Sequence, residues 1–366
     1  MKKVLILVNH HVVIYNFRRE IVEALLDRGY EVIISSPYGE HIDTLKAMGA
    51  KYVESFVSRH GTNVLEDMKL MFYYMKLMRE IKPDVVLSYT IKPNIYGGMA
   101  AEILGVPYIA NITGLGSAVE NGGLIQKLTI FLYKIAFKKV DCVFFQNKEN
   151  RSFFESHHIS KGKYRLLPGS GVNLKQFSVL PYPNTETIEF VFISRIMKEK
   201  GIDQYLEVAR RIRKKYPHTR FHICGFCEEA YEGILQDAQA QGIITYHGMV
   251  KDIRTVLKDI HCTIHPSYYP EGLSNVLLES MASGRPIITT NRSGCKETVD
   301  VGKNGFIVAL KSTEDLFNKV EAFLALDDVA KKQMGLEGRQ KAENEFDRQI
   351  VVEAYIDEIN RVMGES

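Results

Sequence analysis

The sequence predicts an α/β protein built from two doubly wound parallel sheets. Three observations predict this class. Short apolar runs alternate with helical patterns along the chain, the alternation restarts after a Pro- and Gly-rich stretch, and 366 residues is the length of two ordinary domains. A composition of 45% hydrophobic and 25% charged residues is that of a globular protein.

The first half alternates strand-like and helical patterns. Buried strands are predicted at 4–8, 31–35, 84–89, 107–112 and 141–146. Helical periodicity falls between them, at 16–28, 68–81 and 94–104, and Gly29 and Gly105 mark two helix ends. Strands that alternate with helices are typical of a parallel sheet, so residues 1–167 are predicted to form one Rossmann-like domain.

A break separates the two halves. Residues 168–187 contain Pro168-Gly169-Ser170-Gly171 and Pro181-Tyr182-Pro183, which predict a linker. Residues 188–366 then form a second Rossmann-like domain, whose last helix can pack back on the first domain. Its strands are predicted at 189–194, 221–224, 245–247, 262–265 and 286–290, with a helix at 202–215. We expect a ligand cleft between the two domains, at the carboxyl ends of the strands.

Charge and cysteine content indicate which binding partners and which cellular compartment suit the protein. Residues 1–165 carry 22 Lys/Arg against 16 Asp/Glu, so this half is basic and suits an anionic partner; no nucleic-acid partner is predicted. Five cysteines are an odd number, which favours free thiols in the reducing cytoplasm. Cys224-Gly225-Phe226-Cys227 lacks a second ligand pair, so no zinc or redox role is predicted. No apolar run approaches the ~20 residues of a membrane span.

Two carboxylates at the start of a predicted helix are the strongest functional signal. Glu271 and Glu279 stand eight positions apart, and Gly272 follows the first of them. Glycine lets a backbone approach a ligand closely, and the N–H groups that open a helix favour phosphate. These donors are expected at Leu273, Ser274 and Asn275. Glu271 can bind sugar hydroxyls, and Glu279 can meet a ribose ~12 Å further on if the whole segment is helical. Two solvated surface carboxylates are the alternative interpretation.

Two cations follow the first strand of the second half. Arg195 and Lys200 lie at its expected carboxyl end, where they would face the cleft. A diphosphate leaving group needs such positive charge. A charged loop with surplus lysines, such as Lys198, is the alternative.

This combination of an Arg and a Lys with a Glu-x7-Glu pair resembles glycosyltransferase family 4, whose members are retaining transferases of the GT-B fold. The resemblance implies that Arg195 and Lys200 hold the diphosphate, while Glu271 orients the donor sugar and Glu279 the ribose. It also implies that Glu297, in Gly294-Cys295-Lys296-Glu297, lies near the donor sugar, and that Val250 lies in the segment that contacts the nucleobase.

The acceptor is expected to bind the N-terminal half. Its loops resemble the branch of family 4 that builds capsules and lipid-linked oligosaccharides, and they supply the candidate acceptor residues Asn16, Arg18, Lys92, Asn94, Thr113 and Gly114. Many family members carry a His where this chain has Thr113-Gly114, so His10 and His11 are alternatives for contacting the sugar. Because no Asp-x-Asp pair occurs, no metal and no other cofactor is predicted.

A basic amphipathic pattern spans residues 124–139. On a helical wheel, Leu124, Leu128, Phe131, Leu132 and Ile135 share one face, and Lys127, Lys134 and Lys138 follow its edge. Such helices lie on anionic membranes. The alternative is an ordinary core-facing helix with solvated lysines.

The sequence therefore predicts a metal-independent, retaining hexosyltransferase. It would move a hexose or N-acetylhexosamine from a UDP-sugar to a lipid-diphosphate-linked saccharide in bacterial surface polysaccharide or glycan assembly, in the cytoplasm, on the inner face of the cell membrane. A UDP-N-acetylglucosamine 2-epimerase-like enzyme and a non-catalytic nucleotide-sugar-binding subunit are the alternatives.

Overall fold

The computed structural model describes residues 1–56, 64–116, 119 and 122–364. The chain divides into two compact units. Unit 1 consists of Met1–Gly171 together with the C-terminal segment from Arg348, and unit 2 of Val172–Asp347.

Unit 1 contains, within the described ranges, a seven-stranded parallel sheet in the order β3-β2-β1-β4-β5-β6-β7. Its strands are β1 Lys3–Leu7, β2 Glu31–Ser36, β3 Lys51–Glu54, β4 Val85–Tyr89, β5 Tyr108–Ile112, β6 Cys142–Phe145 and β7 Lys163–Leu166. Its helices are α1 His11–Phe17, α2 Arg19–Asp27, α3 Ile42–Ala47, α4 Val64–Ile81, α5 Gly98–Leu104, α6 Gly123–Ala136 and α7 Lys148–Ser156, with a π-helical turn at Pro93–Gly97.

Unit 2 contains a six-stranded parallel sheet in the order β10-β9-β8-β11-β12-β13. The strands are β8 Ile188–Ile193, β9 Thr219–Cys224, β10 Thr245–Tyr246, β11 Cys262–His265, β12 Ile287–Thr290 and β13 Gly305–Val308. The helices are α8 Ile202–Lys215, α9 Glu232–Ala240, α10 Arg254–Leu257, α11 Asn275–Ala282, α12 Thr313–Leu324 and α13 Asp328–Glu345. Helix α14, Arg348–Met363, belongs to unit 1. The predicted class, two doubly wound parallel sheets, is confirmed.

Each sheet is buried on both faces by its crossover helices. In unit 1, Val4 and Ile6 of β1 point into the cluster that α2 and α14 cover, while Leu5 and Leu7 point into the cluster under α4 and α6. A strand that is buried on both faces reads as a continuous apolar run, which is why β1 is visible in the sequence.

The predicted boundaries and the observed units differ at the linker. Residues 172–187 belong to unit 2, and a buried guanidinium explains why. Arg285 is 0% exposed and donates from NH2 to the Pro181 carbonyl oxygen at 2.8 Å and from Nε to the Leu257 carbonyl oxygen at 2.8 Å. Its guanidinium also lies over the Tyr182 ring, 5.6 Å from the centroid. These contacts attach the second part of the predicted linker to unit 2.

The final helix is held to unit 1 by buried charge. Glu358 of α14 is fully buried and pairs with Lys163 at 3.1 Å and Arg165 at 3.2 Å on β7. At the start of the helix, Arg348 pairs with Glu20 at 2.9 Å. Residues 348–366 of the predicted second domain are therefore part of unit 1.

The predicted helix at 16–28 is two helices. The imidazole of His10 caps α1 by accepting from the Val12 N–H at 3.3 Å, so the helix begins earlier than the periodicity indicates. Arg18 then leaves helical geometry at φ −139° and ψ 6°, which ends α1 and starts α2.

Candidate active site

The predicted donor residues of unit 2 follow two neighbouring central strands. Strand order reverses between β8 and β11, and ligands in open α/β sheets bind at the carboxyl ends of the strands at such a switch point. The loop after β8 carries Arg195 and Lys200, and the loop after β11 carries Glu271. The two motifs that the sequence analysis singled out are thus adjacent in space.

Close backbone packing joins the two loops. Gly201 has φ +80°, and a Cβ there would lie 2.2 Å from the Pro266 carbonyl oxygen, so only glycine fits. The Tyr268 N–H donates to the Glu199 carbonyl oxygen at 2.9 Å. The Lys-Gly pair therefore fixes Lys200, at the end of a 3-10 turn, against the β11 loop.

Lys200 forms an ion pair with Glu271, joining the Nζ and Oε1 atoms. Both side chains are mostly buried, at 7% and 14% exposure. The Lys200 ammonium also lies over the Tyr269 ring, 4.7 Å from its centroid, and the Arg195 guanidinium lies 5.2 Å from the same centroid. Both cations thus lie within cation–π distance of the Tyr269 ring, and Arg195 also pairs with Glu228.

Burial makes the Lys200 charge costly. Desolvation first, and the neighbouring Arg195 charge second, lower the pKa of Lys200 to about 7. A lysine that titrates near neutrality beside a second cation is a candidate anion site, because an incoming anion stabilises its ammonium form.

The carboxylate segment is partly as predicted. Helix α11 begins at Asn275, so residues 271–274 are a loop, and Glu279 lies one turn into the helix, about 6 Å along the axis from Asn275. The expected span of ~12 Å from Glu271 along one helix is therefore wrong. Gly272 packs closely against Gly294, where φ is +89° and a Cβ would lie 2.8 Å from the Gly272 carbonyl oxygen.

The N–H groups at this helix start are not equally available. The Ser274 N–H donates to the Gly294 carbonyl oxygen at 2.8 Å, so it is not the free donor that the sequence analysis expected. The Leu273 side chain is 5% exposed and packs in the core beside Leu277. The buried Oδ1 atom of Asn275 has no hydrogen-bond partner among the described residues.

His265, Glu271 and Cys295 form the one three-residue group in the described parts of the chain whose donor atoms could hold a metal ion. These atoms lie within 4.8 Å of one another. Burial first and the Lys200 charge second lower the pKa of His265 to about 3, so its imidazole is neutral. Burial raises the pKa of the Cys295 thiol to about 11. A metal ion would have to deprotonate this thiol and share Glu271 with Lys200.

The remaining predicted donor residues lie on neighbouring loops. The Glu297 carboxylate accepts from the Gly294 N–H at 2.7 Å and from the Ser293 hydroxyl at 3.1 Å, so it fixes its own loop. Val250 is half-buried, and its loop is tied to the end of β9 by a hydrogen bond from the Gly225 N–H to the Gly248 carbonyl oxygen at 2.8 Å.

The predicted acceptor residues of unit 1 divide into exposed and internal ones. Asn16 is exposed, and Thr113 and Gly114 are half-buried. Asn94 is 1% exposed and hydrogen-bonds the Ser88 hydroxyl at 2.6 Å, so in this structure its side chain serves the core.

Two cations among these acceptor residues have internal partners. Lys92 pairs with Asp67 at 2.8 Å. Arg18 is 1% exposed, donates to the Phe17 carbonyl oxygen at 2.7 Å and lies 5.3 Å from the Tyr89 ring centroid.

The two histidines after β1 have structural surroundings. His10 caps α1, and the ring of His11 packs so closely on Gly39 that a Cβ at residue 39 would lie 1.9 Å from His11 Nε2. Burial, followed by the charges of His10 and His41, lowers the pKa of His11.

Sequence reasoning missed three side chains of the unit 2 site. The Tyr269 ring lies close to both cations, Glu228 pairs with Arg195, and His265 lies 3.9 Å from Glu271. The position of His265 as the last residue of a buried strand was a usable signal. Glu228 comes from the loop after β9, and no motif marks it.

Comparison with known proteins places these observations in a family. The glycosyl transferase 4-like family model matches residues 3–147, and the model of glycosyl transferases group 1 matches residues 180–341. The chain is 27% identical, over 96% of both sequences, to N,N'-diacetylbacillosaminyl-diphospho-undecaprenol alpha-1,3-N-acetylgalactosaminyltransferase of Campylobacter jejuni. It is 25% identical to UDP-Gal:alpha-D-GlcNAc-diphosphoundecaprenol alpha-1,3-galactosyltransferase of Escherichia coli, over 78% of this chain and 77% of that one.

Solved structures share the fold. HepE of Anabaena in complex with UDP-glucose superposes with a TM-score of 0.79 at 15% identity, covering 99% of this chain and 100% of that chain. A glycosyltransferase of Rickettsia africae gives a TM-score of 0.78 at 16% identity, covering 100% and 99%. The chain therefore belongs to the group 1 glycosyltransferases of the GT-B fold, with a glycosyl transferase 4-like N-terminal domain.

Proposed function

We propose that the chain transfers a hexose or N-acetylhexosamine from a UDP-sugar, with retention of configuration, to a saccharide on a lipid diphosphate in surface polysaccharide or glycan assembly. The observation that carries this proposal is the cation pair Arg195 and Lys200 beside Glu271 at the switch point of unit 2. The Campylobacter and Escherichia coli relatives are named as transferases that act on diphospho-undecaprenol-linked sugars, which supports the acceptor class.

Donor binding would exchange the partner of Lys200. In the structure its ammonium pairs with the Glu271 carboxylate. The diphosphate of a donor offers Lys200 and Arg195 several anionic oxygens, so it competes with Glu271 for the ammonium. Once Lys200 has moved to the diphosphate, the Glu271 carboxylate can accept hydrogen bonds from the hydroxyls of the donor sugar.

Bond cleavage would then be driven by the same two cations. As the anomeric C–O bond breaks, negative charge grows on the leaving phosphate, and charges held in a site that excludes water stabilise that growth strongly. Retention without a covalent intermediate requires the acceptor hydroxyl to attack from the face that the phosphate leaves. The departing phosphate oxygen takes the acceptor's proton, so no protein nucleophile is needed.

The two cations could take the role of a metal ion. Arg195 and Lys200 supply the positive charge that a divalent ion would bring to a diphosphate. At the His265, Glu271 and Cys295 group, a metal ion would meet the Lys200 ammonium and a protonated thiol. We therefore propose that transfer needs no metal.

The test is a transfer assay in EDTA. Purified protein is incubated with UDP- and GDP-sugars, with and without a lipid-diphosphate-linked sugar, and nucleotide release, product mass and the anomeric signal in NMR are followed. Acceptor-dependent UDP release with a matching mass increase and a retained anomer is expected. Donor conversion without acceptor would instead favour the epimerase, and tight donor binding without transfer to any acceptor would favour the binding subunit.

Glu271→Gln tests the role of the carboxylate. The substitution removes the competitor for Lys200, so donor affinity should persist while kcat falls at least tenfold. Glu232→Gln, an exposed carboxylate at the start of α9, is the matched control and should change neither. Equal losses of kcat and donor affinity in Glu271→Gln would contradict the assigned role.

A further inference from the structure

Helix α6 of unit 1 exposes large apolar side chains in an unusual concentration. Five of its fourteen residues are large hydrophobics that the structure leaves exposed: Leu124 at 83%, Ile125 at 55%, Leu128 at 55%, Phe131 at 59% and Ile135 at 41%. An exposed apolar patch of this kind marks an interaction site more often than chance. These five residues are called the α6 stripe below.

The α6 stripe points away from the protein core. At 100° per residue, Leu124, Leu128, Phe131 and Ile135 fall within about 60° of one another, and Ile125 lies at the edge of the stripe that adjoins the buried side. The buried residues of the same helix, Thr129, Tyr133 and Ala136, lie on the opposite side. A surface helix normally turns its apolar stripe inward, so the stripe of α6 has another partner than the core. The other side of the helix does face the core: Tyr133 and Ala136 are buried, and Leu132, which was predicted on the apolar face, packs against the same core cluster.

Positive charge accompanies the α6 stripe. Lys127, Lys134, Lys138 and Lys139 are all exposed, and no Asp or Glu occurs between Gly122 and Val140. On the helical wheel, Lys127 and Lys134 follow one edge of the stripe. Four lysines without an intervening carboxylate form a local positive field that suits an anionic partner.

Neighbouring helices extend the apolar face. Helices α4, α5 and α6 cover the same side of the unit 1 sheet and share one core cluster. On α4, Leu65, Met68 and Phe72 are exposed, and on α5 Ile103 is 58% exposed. The face is therefore wider than one helix. At the same time, no helix in the described ranges is long and apolar enough to cross a membrane.

We propose that this face docks unit 1 on the surface of an anionic lipid bilayer. The α6 stripe would enter the boundary between headgroups and acyl chains, and the four lysines would contact the headgroups. A second copy of the chain fits less well, because a two-fold interface places the same patch on both subunits, so the lysines of one copy would face those of the other. The surface argument stands independently of the proposed sugar transfer, although a lipid-linked acceptor is found at such a bilayer.

The experiment is vesicle co-sedimentation of the full chain at low salt. Vesicles of phosphatidylcholine alone are compared with vesicles that also contain phosphatidylglycerol. The stripe variant is Leu128→Gln with Phe131→Gln, and its matched control on α13 is Val329→Gln with Leu336→Gln, since these residues are also exposed, at 78% and 40%. A charge variant, Lys127→Gln with Lys134→Gln, alters no apolar contact and keeps the test valid if the stripe variant unfolds.

The wild type should bind the anionic vesicles, bind phosphatidylcholine weakly, and lose affinity as salt screens the lysines. The stripe variant should bind at least tenfold more weakly. The affinity of the charge variant for anionic vesicles should fall on the order of tenfold, and the α13 control should bind as the wild type does. Absence of wild-type binding to anionic vesicles would overturn the proposal. Equal binding by the stripe variant and the α13 control would also overturn it, and so would a wild-type dimer that the stripe variant converts to monomer.

Discussion

The titration of Lys200 offers the sharpest test of the donor site. Because burial and Arg195 lower its pKa to about 7, the free protein carries the ammonium at pH 6 and has largely lost it at pH 9. A bound diphosphate stabilises the ammonium and raises this pKa in the complex. Donor binding above pH 7 must therefore take up a proton.

The size of the pH effect on donor affinity follows from the difference between the pKa of Lys200 in the free protein and in the complex. Below pH 7, where Lys200 is already protonated, its titration should leave the donor dissociation constant independent of pH. Above pH 7 the affinity should fall by up to about tenfold per pH unit, which is about 1.4 kcal/mol, until the pKa of the complex is reached. Calorimetric titration with a UDP-sugar in buffers of different ionisation enthalpy measures both the affinity and the number of protons taken up.

Two variants isolate the group. Lys200→Arg keeps the positive charge at every pH, so its affinity profile should be flat between pH 6 and 9. Lys198→Gln removes an exposed charge two residues away and should retain the wild-type slope. A pH-independent wild-type affinity, or the same slope in Lys200→Arg, would refute the assignment of the titration to Lys200.

Two further predictions concern stability and loop packing. Glu358→Ala should lower the free energy of unfolding in urea by about 2–3 kcal/mol, because it removes the fully buried carboxylate that pairs with Lys163 and Arg165. The control Glu353→Ala changes an exposed residue of the same helix and should lower that free energy by less than ~0.5 kcal/mol. Gly201→Ala should lower the free energy of unfolding by about 3 kcal/mol and weaken donor binding, because its new Cβ would meet the Pro266 carbonyl oxygen. Gly242→Ala is the control, since Gly242 has φ +69° and no neighbour within 4 Å; it should lower the free energy of unfolding by only about 1 kcal/mol and leave donor binding unchanged. Similar unfolding energies for either pair would contradict these assignments.

The central elements of the fold were predictable from the sequence because they are buried on both sides. Strand β11 and helix α8 have the predicted bounds, since continuous apolar residues and a clear helical period mark them. The edge strands β3 and β7 were not predicted. Each begins with an exposed lysine and is only half-buried, so no apolar run distinguishes it from a loop. Their pairing depends on the neighbouring strand rather than on their own residues.

For the candidate site, too, motifs within one loop could be predicted from the sequence, whereas contacts between loops could not. The cations after β8 and the carboxylate after β11 could be predicted, because a parallel sheet places the carboxyl ends of its strands at one edge. The ion pair between Lys200 and Glu271 could not be, since it depends on how closely two loops approach. That approach is set by Gly201 against Pro266. A single sequence shows that a glycine is present but not what it lies against.

The ion pair between Lys200 and Glu271 gives each of the two side chains a defined role in the proposed reaction. A buried lysine without a counter-ion would lose its proton, and a buried carboxylate without a donor would be costly to ionise. Below pH 7, where Lys200 is an ammonium, the pair joins it to the Glu271 carboxylate in a contact that a donor must break. In the proposed reaction the diphosphate would take the place of Glu271 on Lys200, and the release of Glu271 would couple diphosphate binding to recognition of the sugar. A nucleoside diphosphate without a sugar should displace Glu271 equally well. The discrimination between sugars must then come from the released carboxylate and its neighbours, which is why Glu271→Gln is expected to affect kcat more than affinity.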